Sequence, residues 1–313
     1  MTDPFDAPGG NREVDRDRYG RPLVAPAGGG KAKAYTRCTT YVGALEDTYN
    51  LGLWQQRNVA LGLAERPDLL LAVSAHRDDK DRLNKICDDA REAAKASAAA
   101  TTGTALHSLV ERMDRGLPLG AVPAAYAADL KAYERATTAL EHVHIEELMV
   151  LDELKIAGTP DRLALHEERL KVADVKTGSI EWGAGKIAMQ LAVYAHSKLY
   201  HPATGERTEL DIDTDEAIVI HLPAGQGRCE LHRIDIAAGW EAVQLARQVR
   251  AWRARKGLLT PLRTAPPEAA DEISAAASVD ELNAVWARHQ AAWTDELTAL
   301  AAARKSELTG AAS

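Results

Sequence analysis

Cysteine is scarce in this sequence, which limits the kinds of metal centre that the chain can build. The 313 residues include three cysteines, Cys38, Cys87 and Cys229, which lie far apart and form no CxxC pair. Such an odd, sparse set predicts free thiols in a reducing cytoplasm. It also argues against a four-cysteine iron–sulfur cluster.

Long apolar runs and a secretory leader are also lacking. No stretch of about 18 consecutive apolar residues occurs in the sequence, so we expect no membrane span. The N-terminus is acidic and rich in Gly and Pro, without the basic and apolar regions of a signal peptide. We therefore expect a cytoplasmic protein.

Aromatic residues and positive charge are in short supply. Aromatics make up 5% of the chain, whereas Ala is abundant, and this combination favours helix. The net charge of −8 does not by itself indicate nucleic-acid binding. Charges can be segregated, however, and a local basic groove can still bind phosphates.

The hydrophobic pattern changes its period along the chain and predicts an α+β protein with a sheet supported by helices. Helical spacing governs the N-terminal half, strand-like alternation begins near residue 142, and helical spacing returns at the end. The predicted strands are HIEELMVL, LKIAGTPDRLALHE, RLKVADVKTG, EAIVIHLP and RCELHRID, and helices are expected at about 184–200 and 237–256. We divide the chain into a disordered leader, a helical N-terminal part, a core and a helical tail, at residues 1–33, 34–140, 141–260 and 261–313.

Two acids and a lysine interrupt the apolar strands between Gly158 and Lys176. Asp161 begins a predicted hairpin, and Asp174 and Lys176 end the next strand on one face, roughly 7 Å apart. Burying such charges is costly unless a cation or a phosphate compensates. The oxygen ligands suit Mg²⁺ or Mn²⁺, which lower the pKa of a bound water, so the pattern predicts the metal centre of a nuclease. For Asp174 and Lys176 alone, an exposed ion pair is the alternative.

Polar pairs at helical spacing flank this stretch. His107 and Glu111 share a helical face, as do Gln190 and Tyr194, which suit contacts with metal and with DNA. The alternatives are a surface His–Glu hydrogen bond and a core tyrosine with a glutamine at its margin. Arg37 precedes a predicted helix and suits a phosphate contact, or it is an exposed arginine near a cap.

In this order, the motifs GTALH, GTPD, DVKTG and QLAVY resemble those of the PD-(D/E)XK nuclease superfamily, and within it the RecB-type exonuclease branch. The resemblance spans about residues 101–236. The segments YTRCTTYV and SVDELNAVWARH are similar to phage exonucleases of actinobacterial viruses. The resemblance implies a restriction-endonuclease-like core, in which a mixed central β-sheet is flanked by helices.

The resemblance also implies a role for each matched residue. The implied metal ligands are His107, Asp161, Asp174 and the carbonyl of Val175, with Lys176 as the catalytic lysine and Glu111 and Glu147 as outer members of the site. The implied DNA contacts are Gln190 and Tyr194. Mg²⁺ or Mn²⁺ is the expected cofactor, and relatives with an iron–sulfur cluster have four cysteines, which this chain lacks.

The resemblance further implies an exonuclease that acts on linear duplex or single-stranded DNA in recombination, repair or phage DNA metabolism. Its partner would be an annealing protein or a helicase, and it would act in the host cytoplasm if phage-encoded. A structure-specific endonuclease of the same fold and a catalytically degenerate DNA-binding factor remain the alternatives.

Two other signals have more than one interpretation. His142 and His144 share a strand face, and Glu146 and Glu147 follow them, a pattern that resembles a metal-binding strand but offers no third ligand at an obvious spacing. The basic residues between Arg247 and Lys256 predict either a DNA-backbone contact or the polar side of a surface helix.

Overall fold

The structure of the protein, a computed structural model, describes residues 14–96, 98–259 and 267–310. The chain divides into two compact units, Met1–Arg253 and Ala254–Ser313. Each unit has a hydrophobic core of its own. The finer division into four parts stays a prediction.

The first unit combines helices with short strands. Its helices are α1 (Cys38–Val42), α2 (Tyr49–Glu65), α3 (Pro67–Ala75), α4 (Lys80–Ala93), α5 (Ala98–Asp114), α6 (Ala124–Thr137), α7 (Ala184–Ala195) and α8 (Ile236–Arg253), with a 3₁₀ helix at Gly43–Leu45. Its strands are β1 (Leu23–Val24), β2 (Lys33–Ala34), β3 (Thr36–Arg37), β4 (Glu141–Ile145), β5 (Met149–Leu151), β6 (Ile156–Gly158), β7 (Arg162–His166), β8 (Arg169–Lys176), β9 (Lys198–His201), β10 (Glu206–Thr208), β11 (Glu216–His221) and β12 (Glu230–Asp235).

The first sheet has five strands in the order β12-β11-β8-β7-β4. It is mixed, because β8 and β11 run parallel while the other neighbouring pairs are antiparallel. Strand alternation sends Ala173 and Val175 to one face of the sheet and Val172 and Asp174 to the other. Both faces of the central part of β8 are buried, and its apolar residues are interrupted by two buried charges, Lys171 and Asp174.

Helices cover both faces of this sheet. The face of Ala173 and Val175 packs against α5 and α6, and the face of Val172 packs against α7 and α8. His196 of α7 also stacks on Trp240 of α8, with ring centroids 3.8 Å apart. Asp174 therefore lies in the layer between the sheet and the α7–α8 pair.

The second sheet corrects the predicted strand pattern. Its order is β10-β9-β5-β6-β3. The predicted strand HIEELMVL is divided between β4 of the first sheet and β5 of the second. The predicted strand LKIAGTPDRLALHE is divided between β6 of the second sheet and β7 of the first. The prediction of single strands was wrong because the backbone breaks in both places. Glu146 has a left-handed φ of 51°, and Pro160, which has no N–H, lies between β6 and β7.

The helix expected at about 184–200 is shorter than predicted. It ends at Ala195, and Tyr200 instead lies in β9, which pairs with β5 and β10. The Ser197 hydroxyl donates to the carbonyl of Val193, a side-chain bond that competes with further helical turns. The strands EAIVIHLP and RCELHRID are confirmed as β11 and β12, and the helix expected at about 237–256 is confirmed as α8.

Part of the predicted disordered leader is folded, which corrects that prediction from residue 14 onwards. β1 pairs with β2, and Val24 is fully buried beside Tyr35 and Tyr200. The N–H of Ala25 donates to the hydroxyl of Tyr200 at 3.0 Å. Apolar burial thus holds a Gly- and Pro-rich segment against the second sheet. Residues 1–13 lie outside the described residues.

The second unit is helical, with α9 (Pro267–Ala275), α10 (Val279–His289), a 3₁₀ helix at Gln290–Ala292 and α11 (Asp295–Gly310). The Ser278 hydroxyl accepts the N–H of Glu281 at 3.2 Å and caps the N-terminus of α10. Ile273, Leu282 and Leu297 form the centre of its core.

Across both units, the described residues form an α+β protein, as predicted. None of the helices within the described ranges is long and apolar enough to cross a membrane.

Candidate active site

Asp161 and Asp174 meet where β7 begins and β8 approaches its end. Arg162 pairs with Ala173 in the β7–β8 ladder, so Asp161, one residue before β7, lies beside the end of β8. The N–H of Val175 donates to Asp161 Oδ2 at 2.8 Å. The antiparallel register of this hairpin therefore places the two acids, one from each arm, next to each other.

Lys176 forms an ion pair with Asp174. The two residues share a face of β8, as strand alternation predicts. Only 3% of the Asp174 side chain is exposed, against 28% for Lys176, so the carboxylate is buried and the ammonium group reaches towards solvent. An exposed surface ion pair, the alternative interpretation of Asp174 and Lys176 in the sequence, does not fit this burial.

His107 joins the two acids from α5. Its Nδ1 lies 3.4 Å from Asp161 Oδ2. A close approach at Gly103 allows this, because a Cβ there would lie 2.7 Å from Thr177 Oγ1, in the turn after β8. Burial is the largest cause that lowers the pKa of His107, and the negative charge of Asp174 opposes it. The imidazole is therefore neutral near pH 7, the form that binds metals.

The carboxyl groups of Asp161 and Asp174 repel each other, and both are buried away from water. Burial and then the charge of Asp161 raise the pKa of Asp174 to about 6, although Lys176 lowers it. Burial also raises the pKa of Asp161, while its hydrogen bond from Val175 acts the other way. A bound cation would relieve this repulsion. Two carboxylates and a neutral imidazole thus fit a divalent metal ion.

Glu146 is a third acid of the site, at the place where the resemblance implied its neighbour Glu147. Its N–H donates to the carbonyl oxygen of Asp161 at 3.1 Å. Burial, then Asp161 and Glu111, raise the pKa of Glu146 to about 8. The left-handed backbone at Glu146 breaks the strand alternation, so a period-2 pattern cannot show which of two consecutive glutamates belongs to the site. The neighbouring Glu147 instead accepts a bond from His144.

Glu111 lies at the margin of this acidic group. Its Oε1 accepts a hydrogen bond from Arg115 Nε at 2.8 Å, and its charge contributes to the raised pKa values of Asp161 and Glu146. We define the acidic cluster as Glu111, Glu146, Asp161 and Asp174.

In the metal-free protein, E146Q is expected to raise stability at alkaline pH. The pKa of Glu146 is about 8 when folded and 4.5 as an ordinary glutamate, so the folded state binds more protons between these values. Stability therefore falls as pH rises from about 4.5 to about 8. The glutamine variant lacks this loss, whose upper bound from the two pKa values is about 4–5 kcal/mol at pH 8.5. Because Glu146 is only partly buried, solvent screens part of the effect, so we expect E146Q to be more stable by about 2 kcal/mol at pH 8.5 and equal to wild type near pH 4. Urea unfolding in a chelator measures both values.

E147Q is the matched control, because the adjacent carboxylate bonds to His144 outside the acidic cluster. It should leave the pH dependence of unfolding unchanged. If E146Q is less stable than wild type at pH 8.5, then burial and the nearby acids do not raise the pKa of Glu146 as described.

Arg162, which the sequence did not indicate as a site residue, supports Asp161 from inside the protein. The side chain of Arg162 is 1% exposed, and its Nε donates to Asp114 Oδ2 at 2.5 Å. The Tyr133 hydroxyl donates to the same oxygen at 2.8 Å. Arg162 Nη1 also donates to the carbonyl oxygen of Asp161 at 2.6 Å. The buried pair of Arg162 and Asp114 thus fixes the backbone that carries a predicted metal ligand.

Tyr194 lies behind the acids rather than on the surface. It is 3% exposed, and a Cβ at Gly158 would lie 2.9 Å from its hydroxyl. Burial raises the pKa of Tyr194 well above its usual value, so the hydroxyl keeps its proton. Direct contact with DNA, predicted for Tyr194, does not fit this burial. Gln190, which hydrogen bonds with Tyr194, is only partly buried.

Cys38 completes the layer around Tyr194. Its thiol donates to the carbonyl oxygen of Gln190 at 3.7 Å, and burial raises its pKa to about 12. The sulfur therefore remains a neutral thiol. Cys87 and Cys229 are also free, which confirms the prediction of free thiols.

The remaining predicted positions lie around this centre. Arg37 is exposed at the end of β3, next to Cys38. Val175 is buried, with its N–H bonded to Asp161. His142 and His144 contact different acids, Asp114 at 3.4 Å and Glu147 at 3.0 Å, so the shared metal site considered for them does not form.

Two arginines of the basic run at the end of α8 already have partners. Arg247 pairs with Glu153 at 3.1 Å, and Arg250 lies over the ring of Tyr41 at 4.6 Å. These contacts favour the polar side of a surface helix at these two positions.

The comparison with protein families agrees with this geometry. Residues 121–254 match the PD-(D/E)XK nuclease superfamily. The match contains Asp161, Asp174 and Lys176, and the mixed sheets flanked by helices are consistent with a restriction-endonuclease-like fold. The matched superfamily is one of nucleases, and the matched range covers less than half of the chain. His107 and Glu111 lie before the matched range, so their assignment rests on the contacts of α5. No curated protein matches the chain.

Proposed function

We propose that the protein is a DNA exonuclease that hydrolyses phosphodiester bonds with Mg²⁺ or Mn²⁺. The observation that supports this most strongly is the meeting of His107, Asp161 and the Asp174–Lys176 pair at one point of the first sheet. An imidazole, two carboxylates and a lysine from three elements form a set with no evident structural purpose. Buried acids with raised pKa values destabilise the metal-free protein, which is typical of functional sites.

In this proposal the metal ligands are His107, Asp161, Asp174 and the carbonyl of Val175. When bound, the ion lowers the pKa of a water and offsets the negative charge that develops on phosphorus. Lys176, held by Asp174, orients the attacking water or donates to a phosphate oxygen. Water adds to phosphorus, the bond from phosphorus to O3′ breaks, and a 5′-phosphate and a 3′-hydroxyl result.

Residues around the acidic cluster take supporting roles. The partly buried Gln190 contacts DNA, and the exposed Arg37 binds a backbone phosphate. The buried Tyr194 positions Gln190 through their hydrogen bond. Glu111 adds negative charge at the outer side of the cluster.

The resemblance of the motifs to RecB-type and phage exonucleases supports a role in recombination, repair or phage DNA metabolism. On that basis we propose linear duplex or single-stranded DNA as the substrate. An annealing protein or a helicase is the proposed partner, in the cytoplasm of the cell or of the phage host.

Digestion of end-labelled linear DNA and of covalently closed circles in Mg²⁺ or Mn²⁺ tests the proposal. The wild-type protein should degrade linear DNA, stop when the metal is chelated and leave closed circles intact. K176M should be slower by about 10²–10³-fold, the cost of losing one electrostatic stabiliser of a transition state. K198M is the control, since Lys198 pairs with Glu209 on the exposed side of β9.

The three candidate functions give different results in this assay. Cleavage of closed circles would identify an endonuclease instead. Binding of DNA without cleavage in either metal, with K176M equal to wild type, would identify a degenerate DNA-binding factor.

A further inference from the structure

A second group of potential metal ligands lies at the opposite end of the first sheet from β4. His221 ends β11, and Glu230 and His232 lie on the antiparallel neighbour β12. One ligand atom from each of the three side chains lies within 4.8 Å of the others. None of the three was predicted as a site residue from the sequence, because His221 and Glu230 come together only through the β11–β12 register.

The register also relates this group to Lys176. His221 pairs with Lys176 in the β8–β11 ladder and with Glu230 in the β11–β12 ladder, so the three residues form one row across the sheet. Paired residues on neighbouring strands point to the same face. His221 and Glu230 of this row, together with His232, line a groove of about 620 Å³, which also includes Thr177 and Gly178 from the turn after β8.

The hydrogen bonds of the group leave nitrogen and oxygen atoms available to a cation. His221 Nε2 lies 3.0 Å from the carbonyl oxygen of Gly178 and must donate to it, which leaves Nδ1 with its lone pair. A metal-binding histidine commonly donates its other N–H to a backbone carbonyl in this way. Burial of His221, which is 9% exposed, holds its ring in place.

His232 and Glu230 face each other without a hydrogen bond. His232 Nε2 is buried and has no hydrogen-bond partner in the described part of the chain, although Glu230 Oε2 is 3.5 Å away. The other carboxylate oxygen of Glu230, Oε1, lies 3.3 Å from Arg228 Nη1. The side chains of His232 and Glu230 are 41% and 52% exposed, so the groove is open to ions from solvent. The shielded Nε2 atom lacks a hydrogen bond, and a cation held between the imidazole and the carboxylate would satisfy it.

We propose that His221, Glu230 and His232 form a second metal site, which binds Zn²⁺ or a divalent ion of similar preference. Two imidazoles and one carboxylate are a ligand set typical of zinc, and a tetrahedral ion then keeps one open position towards the groove. The acidic cluster, in contrast, offers mainly oxygen ligands, which suit Mg²⁺ or Mn²⁺. The two sites therefore differ in the ion that they prefer, and the second does not depend on nuclease activity.

The test measures Zn²⁺ binding by the full-length D174N protein in excess Mg²⁺, using equilibrium dialysis and metal analysis. D174N weakens the acidic cluster, and Mg²⁺ competes for its remaining oxygen ligands. The D174N protein should bind Zn²⁺, and D174N/H232A should bind that ion at least about 10-fold more weakly. D174N/E230Q should also bind Zn²⁺ more weakly than D174N, and it tests the carboxylate ligand while both imidazole rings stay in place.

D174N/H201A is the matched control, because His201 lies on β9 and bonds to Thr208. Its Zn²⁺ affinity should equal that of D174N. The imidazole ¹⁵N resonances of His221 and His232 should also shift on addition of Zn²⁺. Equal binding by D174N, D174N/H232A and D174N/E230Q, or an equal loss in D174N/H201A, would overturn the proposed site.

Discussion

The D174N variant is expected to lose metal-dependent DNA cleavage by at least about 1,000-fold and to keep its fold. Such a loss corresponds to about 4 kcal/mol of transition-state stabilisation, a contribution expected of a metal ion that acts as a Lewis acid. The amide keeps the shape of the side chain but removes the charge that binds a cation. It also removes the partner that holds Lys176.

Stability separates this catalytic effect from a structural one. The pKa of Asp174 is raised to about 6, so its charge is unfavourable in the metal-free fold at neutral pH. This raised pKa already includes the attraction of Lys176, so removing the charge does not destabilise the metal-free fold, and the partly exposed Lys176 can turn to solvent. The thermal unfolding temperature of metal-free D174N should therefore be close to that of wild type.

Cleavage of labelled linear DNA and metal binding by calorimetry measure the two effects. D211N serves as the control, since Asp211 is an exposed aspartate whose loss should change neither activity nor binding. A D174N protein that keeps more than a tenth of wild-type activity would show that the acidic cluster is not the catalytic centre.

Part of this site could be predicted from local patterns. Alternation along RLKVADVKTG correctly placed Asp174 and Lys176 on one face, because β8 is a regular strand. A hairpin between β7 and β8 then brings Asp161 beside them. His107 required more than local pattern, since its contact with Asp161 depends on how α5 packs on the sheet. Only its motif indicated a role.

Other parts depend on features that periodicity does not encode. Strands of two different sheets have the same alternation, so HIEELMVL and LKIAGTPDRLALHE looked continuous although each is divided. Glu146 enters the site because its backbone is left-handed at the break between β4 and β5. Arg162, a charged residue in an apolar strand, becomes intelligible only when Asp114 of α5 is seen beside it.

The R162M variant is expected to lower the free energy of unfolding by about 3–5 kcal/mol, the usual result of removing one partner from a buried ion pair. Asp114 remains buried, with its side chain 6% exposed, and keeps only Tyr133 and His142 as contacts. Urea denaturation measures the loss. R233M is the control, because Arg233 pairs with Glu216 at the surface and such pairs contribute about 0–1 kcal/mol.

The same change should also weaken metal binding, because Arg162 Nη1 donates to the backbone carbonyl of Asp161. A second substitution separates these effects. In R162M/D114N neither position 162 nor position 114 carries a buried charge, so stability should return in part, whereas the support of Asp161 is still missing and metal affinity should stay low. A loss of less than 1 kcal/mol in R162M would contradict the structural role of the pair. Full recovery of metal binding in the double variant would mean that Asp161 is positioned by Val175 and the sheet alone.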